Sequence, residues 1–487
     1  MKMLRYAWLL VWGVWALGCG EKTENSSSQK PNFIFIYTDD QRFSTVNAFG
    51  KEAVQTPNMD RFAKEGTTFT HAYNMGAWHG AVCVASRTML NTGMTVWRAN
   101  NAESHLDSLV DEGKFWTQHL KQAGYETYFT GKWHVKAPVD SIFQYVSHIR
   151  PGMPNQTPQG YNRPQSEKDT TWLPWHTKYE GFWKGGKHWS EVLADDAVQY
   201  IREANTREKP FFMYLAFNAP HDPRQAPKEF VERYPLEQIV LPENFQELYP
   251  YKDSIGCGSD LRDERLAPFP RTPLAIQKHI QEYYAIITHL DDQIGRVLEA
   301  LDASGKRDNT YLIFTSDHGL AVGQHGLLGK QNMYDHSIRV PLMIVGPEIP
   351  KGSQRSQQVY LQDVMATVLE MAGIQKPKEV EFNSLMPYIK DPSASSVYAS
   401  VYGCYMNLQR MIRTDRYKLI LYPKARKALL FDLENDPAET EDLSTSIAHR
   451  QVKASLFEEL LRQQEALEDP LDLSIYFPEI KEKPEAP

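Results

Sequence analysis

Short apolar runs without polar alternation recur along the chain, at 32–37 (NFIFIY), 125–130 (YETYFT), 211–217 (FFMYLAF), 311–315 (YLIFT) and 341–345 (PLMIV). They are rich in β-branched and aromatic residues, which predicts strands buried on both faces. Helical periods lie between them. In 283–301, Tyr283, Ile287, Leu290, Ile294, Val297 and Leu301 recur every three or four positions, and Gly305 supplies a stop. Strands alternating with helices predict an α/β fold, a mostly parallel sheet with helices on both faces. Beyond Gly373 the pattern changes. SSVYASVYG, RMIRTDRYKLILY and KALLFDL read as short strands without long helices between them. They predict a small C-terminal α+β subdomain with an antiparallel sheet at 376–487, following a main domain at 31–375.

The N-terminus carries Lys2 and Arg5, an apolar run at 7–17, then Gly18-Cys19. The apolar stretch is too short for a permanent membrane span. Ala16-Leu17-Gly18-Cys19 resembles a bacterial lipoprotein processing site, which implies a signal peptide at 1–18 and lipid attachment at Cys19. An ordinary secretory signal is the alternative. The polar segment at 19–30 reads as a flexible tether. Either signal predicts export, to the periplasm or the cell surface, with a membrane anchor in the lipoprotein case. Export permits disulfides, and whether Cys257 and Cys404 pair stays open. The net charge of -8 gives no support for nucleic-acid binding, so any anion site must be a local cluster of cations.

Ligands of parallel α/β sheets sit beyond the carboxyl ends of the strands. The residues that follow the predicted strands are therefore the candidates for chemistry: Asp39-Asp40, then Lys132 and His134, then His221, then Asp317-His318. Three carboxylates brought to one edge call for a cation. Oxygen ligands point to Ca²⁺ or Mg²⁺, and a histidine also suits a transition metal. Cys83 stands ahead of VASRTMLNTG, a predicted helix with Ser86 and Arg87 in its first turn. A helix N-terminus favours an anion or a thiolate.

C-x-A-S-R followed by Leu90, Thr92 and Gly93 resembles the signature of type I, formylglycine-dependent sulfatases of the alkaline-phosphatase-like superfamily. TDDQR, GKWH, APH, SDHG and Lys330 follow that family's order, and His318 is most like the branch of iduronate-2-sulfatase-like polysaccharide sulfatases of bacteria. Met94 stands where the family often has Arg. The resemblance implies that Cys83 is converted to 3-oxoalanine (Cα-formylglycine) by a maturation enzyme. It implies one Ca²⁺ held by Asp39, Asp40, Asp317, His318 and the converted Cys83. Arg87 and Lys132 would hold the formylglycine, His134 would take the proton that triggers sulfate release, and His221 and Lys330 would contact the sulfate, with His221 as general acid.

Two long stretches, 148–190 and 222–273, lack periodicity, and loops of this length usually serve a function. The first carries Tyr161, Trp172, Trp175, Tyr179, Phe182, Trp183 and Trp189 beside Lys178, Lys184 and Lys187. Trp175 and Trp183, with Arg42, Trp78 and His79, are the candidates for substrate binding. Either these aromatics stack on sugars or they pack the loops' own core. The expected substrate is a sulfated poly- or oligosaccharide, algal or glycosaminoglycan. The competing readings are a phosphonate monoester or phosphodiester hydrolase of the same superfamily and a lipoprotein that only captures sulfated glycans.

Overall fold

Alternate residues of NFIFIYT face two different cores: Ile34 and Ile36 join one, Phe33, Phe35 and Tyr37 the other. All five are fully buried, which is why the run shows no polar alternation. The computed structural model describes residues 29–50, 52–150, 158–183 and 185–481. The signal peptide, Cys19, most of the tether and Lys184 lie outside the described residues. The described residues from Pro31 onward form one compact unit.

The strands, in chain order, are β1 (Asn32–Thr38), β2 (Thr67–Tyr73), β3 (Gly76–Ala77), β4 (Glu126–Lys132), β5 (Tyr145–Arg150), β6 (Phe211–Ala216), β7 (Thr310–Ser316), β8 (Arg339–Val340), β9 (Leu342–Val345), β10 (Ser353–Tyr360), β11 (Val401–Tyr405), β12 (Gln409–Arg413), β13 (Tyr417–Tyr422) and β14 (Lys427–Asp432). The large sheet has the order β10-β2-β9-β7-β1-β6-β4-β5. Neighbours from β7 to β5 are parallel, whereas β9 runs antiparallel to both β7 and β2. The sheet is thus mostly parallel. The strands that deliver candidate chemistry, β7, β1, β6 and β4, are consecutive neighbours and discharge at one edge.

The helix read from 283–301 runs from Pro273 to Ser304 and ends at Gly305 in the left-handed conformation (φ 72°). Its six periodic residues are all fully buried, each contributing about 1.5–3 kcal/mol. Among the described residues, no helix is long and apolar enough to cross a membrane.

The second sheet, β14-β13-β12-β11-β3, is antiparallel apart from β3, which pairs parallel to β11. A long helix, Arg450–Ala466, follows the strands. This sheet bears on the site through β3, five residues before the Cys83 helix begins. Cys404 N–H donates to Met75 O and Met406 N–H to Ala77 O. Gly76 has φ 99°, and a Cβ there would lie 1.9 Å from Cys404 O. Only glycine permits that approach. Cys257 and Cys404 are both free buried thiols, which closes the disulfide question for this structure.

Candidate active site

Cys83 lies inside the first turn of the helix Val82–Thr92, so the helix starts one residue before Cys83 and both Ser86 and Arg87 fall in its second turn. The expectation that Ser86 and Arg87 occupy the first turn is corrected: the helix begins two residues ahead of the predicted start at Val84. Ser86 Oγ donates to Asp317 O at 2.8 Å, which ties the helix to the end of β7. Cys83 Sγ faces His134 Nδ1 at 3.1 Å.

Arg87 is fully buried, with its guanidinium 4.7 Å over the Tyr37 ring. Its Nε donates to Asp317 Oδ2 at 3.1 Å and its Nη1 to Lys132 O at 2.6 Å, with Asp39 Oδ2 at 3.6 Å from Nη2. Lys132 pairs with Asp39. Lys330 Nζ donates to both Asp40 oxygens at 2.9 Å and to His221 Nε2 at 2.8 Å. Three buried cations therefore meet three buried carboxylates. Burial would raise the Asp39 carboxyl, but Lys132, His221 and Arg87 outweigh it and hold the group well below the usual carboxylate range. Burial wins at Asp40, which rises to about 6 against the pull of His221 and Lys330. His134 is lowered to about 3 by burial, then by Lys132 and Arg87. It stands beside Cys83 as a neutral base.

Two residues hold unusual backbone conformations, Asp40 at φ 67° and His134 at φ 52°. Left-handed non-glycine residues cluster at functional sites when surrounding contacts over-determine them. For Asp40 these contacts are explicit: its N–H donates to Asp317 Oδ1 at 3.2 Å, and its carbonyl accepts from Tyr283 at 2.6 Å.

The donor set fits a hard cation. Asp39, Cys83, Asp317 and His318 each offer one ligand atom, all within 4.8 Å of one another, and Asp39, Asp40 and His221 form a second such group. Asp39 Oδ1 is buried with no hydrogen-bond partner. Asp39 Oδ2 and Lys132 Nζ touch as an ion pair without hydrogen-bond alignment. His318 Nδ1 donates to Gly319 O at 2.8 Å, and its Nε2 makes no hydrogen bond although Asp40 Oδ1 lies 3.1 Å and Asp317 Oδ1 3.5 Å away. An unpartnered ring nitrogen this close to two carboxylate oxygens fits a cation shared among the three. The second hydrogen bond fixes the ring in the orientation a metal ligand needs.

Among the substrate candidates, Trp78 and His79 are half-buried just before the Cys83 helix, with His79 Nε2 3.3 Å from Glu103. Arg42 is not brought to the cluster: it is buried against Glu52 and donates to Leu320 O at 3.2 Å. Trp183 packs edge-on against Trp189 (4.4 Å) and His148 (5.5 Å), while Trp172 stacks on Tyr179 (4.6 Å). These loops thus largely build their own aromatic core. Trp175 lines a cavity of about 200 Å³ with Trp172, Arg163 and Lys278.

Sequence reasoning missed Asp222, Arg262 and Asp263. His221 Nδ1 lies 2.8 Å from Asp222 Oδ1, Arg262 bridges Asp222 and Asp263, and Asp263 lies 3.7 Å from Lys330. Asp222 was legible as the direct successor of His221. Arg262 and Asp263 sit in an irregular charged stretch that carries no periodic signal.

A buried thiol at a helix start, flanked by cations and a hard-metal donor set at the carboxyl edge of a parallel sheet, defines a hydrolase of anionic esters. The chain belongs to the sulfatase family, whose model matches residues 31–374, and the model "N-sulphoglucosamine sulphohydrolase, C-terminal" matches 323–466. It is a sulfuric ester hydrolase. Relatives include an N-acetylglucosamine-6-O-sulfatase of Bacteroides thetaiotaomicron (25% identical, covering 92% of this chain and 88% of the relative). An ulvan-active sulfatase of Formosa agariphila is 27% identical (88% and 80%) and iduronate 2-sulfatase of Mus musculus 30% (66% and 60%). Among solved structures, a protein in complex with its substrate D-glucosamine-2-N,6-O-disulfate aligns with TM-score 0.71 at 24% identity (91% and 99%). A phosphonate monoester hydrolase of Agrobacterium radiobacter aligns with TM-score 0.71 at 20% identity (92% and 97%). Both share the alkaline-phosphatase-like fold.

Proposed function

We propose that the protein removes sulfate from a sulfated carbohydrate, using Cys83 matured to a hydrated formylglycine and one calcium ion held by Asp39, Asp40, Asp317 and His318. The observation that carries this reading is the convergence of Cys83 Sγ with two carboxylates and an imidazole nitrogen in a fully enclosed cluster. When present, the aldehyde hydrate supplies an oxygen nucleophile in place of the thiol, and the ion supplies Lewis-acid stabilisation of the sulfate.

This chain's own residues perform the remaining work. Arg87 and Lys132 supply positive charge beside the nucleophile and keep Asp39 ionised. Preorganised charge of this kind is usually the largest single catalytic term. His134, neutral and 3.1 Å from the position of Cys83 Sγ, is placed to accept the hydroxyl proton whose loss expels sulfate. Lys330 and His221 form the opposite wall and take the leaving group. His221 delivers a proton to the bridging ester oxygen as its bond to sulfur breaks.

A residue in that last role matters most when the leaving group is poor. His221→Ala is expected to lose about 10²–10⁴-fold on a sulfated oligosaccharide and far less on nitrophenyl sulfate, whose leaving group departs without help. Equal losses on the two substrates would move the acid role to Lys330.

Marine algal glycans such as ulvan or carrageenan are the proposed substrates, supported by the ulvan-active relative. A formylglycine-generating enzyme is the proposed maturation partner. The proposed location is the exported side of a bacterial membrane, through a lipid on Cys19. The direct test is desulfation of defined algal and glycosaminoglycan oligosaccharides by protein matured beside such an enzyme. Release of sulfate from the glycosaminoglycan set alone would overturn the algal assignment. Faster cleavage of a phosphonate monoester than of any sulfate ester would favour the phosphonate reading, which the shared fold permits.

A further inference from the structure

We infer that a polar cavity of about 310 Å³ between the two sheets is a second anion site, which takes a sulfate group apart from the catalytic cluster. Its walls come from elements far apart in the chain. Arg42 follows β1, His71 lies in β2, His336 precedes β8, Arg339 opens β8 and Arg413 closes β12. None of the residues of the catalytic cluster lines it. Arg42, which that cluster leaves out, thus opens on a different space. The volume falls at the lower end of the range of ligand pockets, about 300–1,000 Å³.

The charges around the cavity do not balance. Arg42 is neutralised by Glu52, whose two oxygens it grips. Arg339, Arg413 and Lys418 are left to share two carboxylates, Asp335 and Glu439. Lys418 pairs with both, Glu439 at 2.6 Å. Arg413 reaches Asp335 only at 3.4 Å, and Arg339 only at 4.0 Å. Burial raises Glu439 to about 7 against the pull of Lys418, so that carboxyl carries less than a full charge near neutral pH. Net positive charge remains, and buried charge calls for a partner. One further acid, Asp415, lines the cavity but is exposed, where water weakens its field.

Unused polar atoms point the same way. Arg413 is 3% exposed, yet its Nε makes no hydrogen bond. His336 Nε2 is also buried without a partner, while its Nδ1 lies 2.9 Å from Ser337 Oγ. Burial, then Arg339 and Arg413, lower His71 to about 3, so that ring is neutral and offers hydrogen bonds alone. A carboxylate is satisfied in one plane by a single guanidinium. Here guanidiniums and imidazoles arrive from several elements, which suits a tetrahedral oxyanion with acceptors on every side. Sulfate is what this enzyme releases, so the occupant is either the free ion or a further sulfate ester on the substrate. The segment after His318 joins the two sites: Gly319 N–H donates to Ser337 O at 2.7 Å, and Leu320 N–H to His336 O at 2.8 Å.

The test titrates inorganic sulfate into the matured holoenzyme and into Arg339→Gln, Asp415→Asn and Lys330→Ala at constant ionic strength, with thermal melts to confirm folding. Arg339→Gln should weaken binding about tenfold or more, the scale of a lost charged hydrogen bond. Asp415→Asn, a change at an exposed position, should tighten it by up to about fivefold, and it carries the test should Arg339→Gln fail to fold. Neither should move kcat on nitrophenyl sulfate. Lys330→Ala alters the catalytic cluster and should leave binding in the cavity intact. Sulfate affinity that Lys330→Ala abolishes and the other two variants leave unchanged overturns the inference, as does an absence of sulfate binding by the parent. Kinetics separate the two sources. For a sulfate ester, Arg339→Gln should raise KM for a polysulfated oligosaccharide and not for its monosulfated counterpart. For the free ion, both KM values should hold while sulfate affinity falls. The titration uses sulfate itself, so failure of the carbohydrate reading would leave the site standing.

Discussion

Cys83→Ala abolishes sulfate-ester hydrolysis while leaving the fold and the remaining metal-site residues in place. The expected loss is on the order of 10⁶-fold in kcat, the scale on which removal of a covalent nucleophile is felt. The reasoning is geometric. Cys83 is 2% exposed and sits in the first turn of its helix, so alanine at 83 leaves a void of one sulfur atom and no unpaired partner beyond His134 Nδ1. Asp39, Asp317 and His318 keep their positions through Arg87, Ser86 and Gly319. Activity should therefore vanish with a melting temperature close to that of the parent, while the metal, short of the ligand at residue 83, is held less tightly. Mass spectrometry of the peptide containing residue 83 supplies the second measurement: matured parent protein should be lighter there than cysteine and react with hydrazide. Full turnover by protein whose Cys83 remains a thiol would overturn the mechanism.

Much of this site was legible because its residues sit where a parallel sheet must place them. Lys132 closes β4, and Asp39, His221 and Asp317 stand in the segments that follow β1, β6 and β7, so all four lie at the carboxyl edge. The strands β5, β2 and β10 at and near the sheet's margins were harder to see. YVSHIR and SQRSQQVY are polar on one side because a marginal strand has a solvated face, and their composition resembles that of loops. The convergence of three carboxylates predicted a bound cation through repulsion alone, yet Arg87, Lys132 and Lys330 already balance that charge. The firmer argument for a metal is directional, and only coordinates supply it: His318 Nε2 and Asp39 Oδ1 are both buried without a hydrogen-bond partner. The aromatic loop at 148–190 left two readings open, sugar stacking or a core of its own. Its rings were candidates for sugar stacking, but Trp183, Trp189, Trp172 and Tyr179 spend their faces on one another. Sequence shows that aromatics are near in the chain, not what covers them.

Asp317→Asn should cost both activity and stability, and the two losses have separable causes. Asp317 is fully buried and accepts from Arg87 Nε at 3.1 Å and from Asp40 N–H at 3.2 Å. Asparagine keeps the acceptor toward Asp40 by turning its oxygen there, which sets its NH₂ against the Arg87 Nε–H. Two donors then face each other in an enclosed site, and Arg87 retains only Lys132 O and the more distant Asp39. Breaking a buried pair by removing one partner costs about 3–5 kcal/mol, and the surviving contacts place this change near the lower end. The loss of one anionic ligand also weakens the metal, which in the parent stabilises the folded state by about 2.7 kcal/mol at a hundredfold excess over its Kd. Chelation should therefore lower the melting temperature of the parent markedly and that of Asp317→Asn little. Turnover of the variant should fall by about 10²–10³-fold, as for the loss of one stabilising group at a developing charge, even with residue 83 fully converted. Metal analysis and paired melts with and without chelator decide the point. An Asp317→Asn protein that keeps one tightly held ion and parental turnover would remove Asp317 from the metal site and leave it as a partner of Arg87 and the Asp40 N–H.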